Sequence, residues 1–249
     1  LEKYLADIPK VVRSKSVGFF QTYQKSLLAA SLLVAFYSFK TLERIPAWER
    51  TLTLVETDVK THPNSVELNY HYGVELLKAT QIITNPTQRS QQIIAAKNVL
   101  TKAIEGYPQH AEAYGELGLA CYLEGNYQAA MDNYLLANQH QSNNPKVYNN
   151  LGMLHYLKKD LDQAKIAYEK AIILNPKMDE AHRNLAGILL VQKEYNKAIE
   201  SYKTALRFDP NNAEVHYFMG IAFQERGDLE KAQPWLDKAY DMDPTLRSN

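Results

Sequence analysis

Residues 148–176, YNNLGMLHYLKKDLDQAKIAYEKAIILNP, decide the fold, because each landmark in this stretch returns at a fixed step along the chain. Ala164 belongs to a ladder of Ala96, Ala130, Ala164, Ala198 and Ala232, each 34 residues from the next. A second ladder, Ala103, Ala137, Ala171, Ala205 and Ala239, keeps the same step, as does Pro108, Ser142, Pro176, Pro210 and Pro244. Between them run Leu117-Gly118, Leu151-Gly152, Leu185-Ala186 and Met219-Gly220. A period of this length marks an array of helix pairs that bury their apolar faces on one another. Small residues at Gly152 and Ala164 let the two helices of a pair approach closely, Tyr168 and Leu174 fill the space beside them, and Pro176 follows the second helix where it no longer breaks it. Asp160 ahead of Leu161, with Gln163 three residues on, reads as a capping box, and Asn126 and Asp228 read as N-caps.

These residues resemble the tetratricopeptide repeat family, whose pattern is a Leu-Gly pair in a first helix followed by Ala, an aromatic residue, Ala and Pro. The stretch from Tyr148 to Pro176 is the clearest copy. The resemblance implies an all-α right-handed superhelix of about five helix pairs over residues 63–249. The earliest pair is irregular: His71-Tyr72-Gly73 stands where a Leu-Gly pair is expected, and Pro63 to Pro108 is 45 residues rather than 34. The eleven extra residues are expected within Thr80–Gln91 as a longer inner loop, with Asn85-Pro86-Thr87 as a turn. Upstream, Ala47–Thr61 reads as a lone helix that caps the array, within a segment spanning 46–62. At the far end Pro234 falls inside the last expected helix, which is therefore kinked or continues into a partner or a missing segment, a frayed last repeat being the other reading.

Residues 17–45 are expected to form a hydrophobic helix, and residues 1–16 a segment beside it that is a candidate membrane-proximal loop. Ser26–Phe39 is an apolar run between Lys25 and Lys40. Its length corresponds to roughly 21 Å of helix against a hydrocarbon core of about 30 Å. With both lysines snorkelling, residues 17–42 are long enough to cross a membrane as one of several packed helices; a water-soluble helix packed on the array is the other reading. A second resemblance, over about Leu27–Ser65, is to polytopic membrane proteins with a tetratricopeptide tail, the transmembrane and tetratricopeptide O-mannosyltransferases among them. It rests on the apolar helix, then Lys40, Arg44, Ile45-Pro46-Ala47-Trp48, Leu54 and Pro63-Asn64-Ser65. The resemblance implies that catalysis belongs to a membrane part outside this chain, that the substrate is a lipid-linked sugar, and that the repeats lie on the extracytoplasmic side. A water-soluble helix would instead suit a cytoplasmic protein. The chain opens on Leu1 rather than methionine, which is expected of a fragment or a processed product.

Composition narrows the function classes. The 28 basic and 28 acidic side chains balance, so the chain lacks the basic excess expected of a nucleic-acid binder. The single cysteine, Cys121, excludes an internal disulfide framework and a cysteine zinc site. No glycine-rich phosphate loop, metal-spaced His/Cys cluster or nucleophile elbow occurs, so neither catalysis, a cofactor nor a metal is expected. His182 and His216, 34 apart, hold the place of the first-helix aromatic landmark and read as packing residues.

In the tetratricopeptide superhelix the first helix of each pair lines the concave groove. By that resemblance the groove here is formed by Tyr70, His71 and Leu77, then Glu116 and Tyr122, then Asn149, Asn150, Met153 and Tyr156. Arg183, Asn184 and Leu190 follow, and then Tyr217, Phe218 and Gln224. Asn150 and Asn184 hold equivalent places and resemble the asparagine ladder of the O-linked N-acetylglucosamine transferase family, which holds the backbone of an extended peptide. Arg183 and Lys146 are the cations expected in the groove, short of the Lys, Arg and Asn set of a carboxylate clamp. The expected function is therefore a protein-interaction module that takes a protein or peptide partner in its groove, tethered to a membrane through residues 17–42. The alternatives are the non-catalytic acceptor-binding tail of a membrane glycosyltransferase and a soluble assembly scaffold.

Overall fold

A computed structural model describes residues 51–141 and 143–248. The expected membrane-proximal, hydrophobic and Trp48-bearing segments lie outside these residues, as does Ser142 of the proline ladder. The chain divides into two units, the first ending at Thr61 and the second beginning at His62. Of the first unit, helix α1 (Thr51–Thr61) is described; it carries an i,i+4 ion pair between Glu56 and Lys60 at 2.7 Å.

The second unit is all-α among the described residues. It comprises α2 (Val66–Ala79), α3 (Pro86–Gly106), α4 (Ala111–Leu123), α5 (Tyr127–His140), α6 (Pro145–Leu157), α7 (Leu161–Leu174), α8 (Asp179–Val191), α9 (Tyr195–Phe208), α10 (Ala213–Glu225) and α11 (Leu229–Met242). Each even-numbered helix packs antiparallel on the odd-numbered helix after it, giving five pairs stacked in chain order. A 3₁₀ turn, Pro244–Ser248, closes the described residues. The alanine ladders are fully buried between the helices of each pair. The glycines of the first helices make the closest approaches: a Cβ on Gly118 would stand 2.7 Å from the Tyr134 ring, and one on Gly152 2.6 Å from the Tyr168 ring. Leu100 and Leu236 take the same place against Gly73 and Gly220.

The irregular first pair departs from expectation. Relative to α4 and α5 the insertion adds one residue to α2, three to the loop Thr80–Asn85 and seven to α3. The extra length is thus mostly two turns of helix rather than a longer loop. Asn85-Pro86-Thr87 is a helix start and not a free turn: Asn85 Oδ1 accepts the amides of Thr87 and Gln88 at 3.0 and 3.1 Å, and Pro86 occupies the first turn, where its missing N–H leaves nothing unmade. Asp160 and Asn126 cap as expected, accepting from the amides of Gln163 and Ala129 at 3.2 and 3.1 Å. Asp228 stands at the N-cap of α11 but makes no capping bond, because its carboxylate is drawn to the Arg226 guanidinium. That helix runs unbroken through Pro234. Among the described residues no helix is long and apolar enough to cross a membrane.

Candidate functional site

The first helices of successive pairs lie side by side, so their outward residues form one continuous face. Two recesses open on it. The first, of about 590 Å³, lies among α2, α4 and α6 and takes in Tyr70, Leu77, Glu116 and Asn150 of the expected residues. The second, of about 290 Å³, lies among α6, α8 and α10 and takes in Tyr156, Arg183, Asn184, Leu190 and Phe218. His71, Tyr122, Asn149, Met153, Tyr217 and Gln224 line neither. Tyr122 packs against Tyr127 with the rings tilted and 5.7 Å apart, and Tyr217 packs on Phe218 and Tyr240. Asn149 is only 5% exposed, and its Oδ1 accepts from Asn184 of the next first helix.

The asparagines at equivalent positions are held from behind. Asn150 Nδ2 donates to the Tyr134 hydroxyl at 3.0 Å, and Asn184 Nδ2 donates to Asn149 Oδ1 at 3.0 Å. Among the described residues each amide is thus oriented by one donated bond, with its Oδ1 and second amide hydrogen uncommitted. Burial pushes the Tyr134, Tyr168 and Tyr202 hydroxyls well above the ordinary phenol range, so all three are neutral at physiological pH.

The two recesses differ in charge. In the larger one, burial raises the Glu116 carboxyl above the usual carboxylate range, with Lys146 and Lys78 pulling the other way. Lys78 and Arg89 line it as well as Lys146, so the groove carries more cations than the two expected from spacing. Lys78 comes from the end of α2, and Arg89 is brought in by the added turns of α3. In the smaller recess Arg183 Nη1 meets Glu214 Oε2 at 2.9 Å, joining α8 to α10. Glu214 was not among the expected residues; its place in the first turn of α10, one turn before Tyr217 and Phe218, is the signal that marks it.

His182 and His216 are hydrogen-bonded within the array. Their Nε2–H groups donate to the carbonyls of Pro176 and Pro210 at 3.0 Å each, and Asn69 at the equivalent place donates to the Pro63 carbonyl at 2.8 Å.

Family models described as tetratricopeptide repeat match residues 89–145, 145–178 and 213–246, and one described as TPR repeat matches residues 188–227. No curated protein sequence matches the chain. Among solved structures, the chain is similar to PilF of Pseudomonas aeruginosa, with TM-score 0.66 and 19% identity over 83% of this chain and 88% of that one. It is similar to YrrB, described as a TPR protein with an unusual peptide-binding site, with TM-score 0.57 and 20% identity over 76% and 92% of the two chains. MamA of Desulfovibrio magneticus RS-1 is similar with TM-score 0.56 and 18% identity over 68% and 96%. At these identities the likeness is one of fold. Ladders, helix pairs and family models agree, and the array of helix pairs in this chain is built of tetratricopeptide repeats.

Proposed function

We propose that the chain is a protein-interaction module that holds an extended polypeptide segment along the first-helix face of its array. The observation that carries this reading is the pair of recesses on that face, the larger lined by Asn150 and the smaller by Asn184, whose amides are anchored from behind with Oδ1 left to accept a backbone N–H. Preoriented amides lower the ordering needed when a peptide binds. That YrrB is described as peptide-binding supports the reading without identifying the partner. Tyr156, Tyr217, Phe218 and Gln224 lie toward the end of the same face, with Tyr70 at its start.

The test is selection from a display library of random twelve-residue peptides on the immobilised full chain, followed by titration of the best binders. Asn184→Ala is expected to weaken them about fivefold or more through lost backbone hydrogen bonds. Failure to enrich any peptide, or equal binding by Asn184→Ala, overturns the reading.

The membrane tether rests on the apolar run between Lys25 and Lys40, and the glycosyltransferase-tail reading on the likeness over about Leu27–Ser65. A soluble assembly scaffold would use the same face without a tether. The groove reading depends on none of these.

A further inference from the structure

The fourth pair breaks the pattern of its neighbours in one respect. Just after the small residue at the helix crossing, the other pairs carry Val74, Leu119, Met153 and Ile221, each half-buried on the first-helix face. At the equivalent place the fourth pair carries Gly187, while the crossing position holds Ala186 instead of glycine. Leu-Gly-Met has become Leu-Ala-Gly. The consequence is steric. Ala186 is fully buried at the crossing. A Cβ on Gly187 would meet nothing closer than the Tyr202 hydroxyl at 4.0 Å. The recess of about 290 Å³ opens at this missing side chain.

We infer that the recess at Gly187 is a specificity pocket for one neutral aliphatic side chain, leucine or methionine, of the bound peptide. The inference rests on the groove reading and names what that groove selects. Three observations identify the occupant. The array itself places Val, Leu, Met or Ile at this position in its four other pairs, so the vacancy has the size and chemistry of an aliphatic residue. The walls are Tyr156, Tyr168, Tyr202 and Phe218, with Tyr202 and Phe218 near-parallel at 6.4 Å, a surface suited to aliphatic and thioether groups. The charges at the rim, Arg183 and Glu214, neutralise each other, so nothing there calls for a charged side chain. At about 290 Å³ the space lies below the range of whole small-molecule sites and suits a single anchor. Asn184, one turn before Gly187, would accept a peptide N–H beside it.

The test uses the full chain and the peptide library above, with Gly187→Met and Gly187→Ala. Both substitutions replace a helix-interior glycine where space is open, so the melting temperature should hold or rise. Selected peptides are expected to share one position restricted to Leu or Met. Their binding should fall about tenfold or more in Gly187→Met and less in Gly187→Ala, the magnitude of excluding one buried aliphatic side chain. If selected peptides bind Gly187→Met as tightly as the parent while Asn184→Ala weakens them, the pocket inference is overturned and the groove reading stands. If charged or aromatic residues are enriched at that position, the occupant named here is wrong. If no peptide is enriched, both fall.

Discussion

Between the helices of the second to fifth pairs the chain turns at residues 125, 159, 193 and 227. All four are left-handed, with φ of 85° at Gly125, 62° at Lys159, 61° at Lys193 and 94° at Gly227. The reason is common to them: the next amide reaches back five residues to close the helix end, as from Asn126 to the Cys121 carbonyl at 2.9 Å and from Asp160 to the His155 carbonyl at 2.9 Å. Glycine takes this conformation freely and lysine does not. Lys159→Gly and Lys193→Gly should each raise stability by about 1 kcal/mol or somewhat less, measured by urea unfolding; a loss at both sites would mean that the lysine side chains contribute something the turn geometry does not show. Glu116 carries a second residue-scale prediction. Its carboxyl is raised by burial, so its contribution favours the fold at low pH and is lost as pH rises through its folded-state value. Glu116→Gln should therefore melt higher than the parent at neutral pH, and the difference should close in acid. A Glu116→Gln chain that melts lower at neutral pH would show that Lys146 and Lys78 outweigh desolvation.

Among the elements, α11 carries a defect. Pro234 removes one helical N–H and leaves the Glu230 carbonyl without its usual donor. Pro234→Ala is expected to stabilise the array by about 1–3 kcal/mol in chemical denaturation, and an unchanged midpoint would mean that the neighbouring packing already compensates. Element existence was legible because Ala, Tyr and Leu recur at a fixed step, and every helix from α4 onward follows that step closely. The length of α3 was not, for a physical reason: Pro86–Gln91 is exposed throughout, so it carries no buried face and no apolar period to read. Asn-Pro there serves equally well as a turn or as a cap with proline in the first helical turn. Of the residues expected on the groove, Lys146 and nine others line the two recesses. What spacing did not reveal was which of these residues are buried, as Asn149 is, and that one repeat leaves a position empty. Gly187 had a signal in the exchanged order of Ala186 and Gly187, visible only when repeats are compared at the residue after the helix crossing.

Among the described residues each pair packs chiefly on its neighbours, and two clusters of buried side chains run through the array, one over α4–α7 and the other over α7–α11. A lattice of near-identical units poses a problem of address. An extended chain laid on five similar steps can shift by one step and make almost the same contacts, and spreading over five equal positions is worth about 1 kcal/mol of mixing entropy. The aperiodic glycine at position 187 breaks that translational symmetry. It gives the ruler a zero mark, so that a ligand's contacts everywhere else are counted from a single notch.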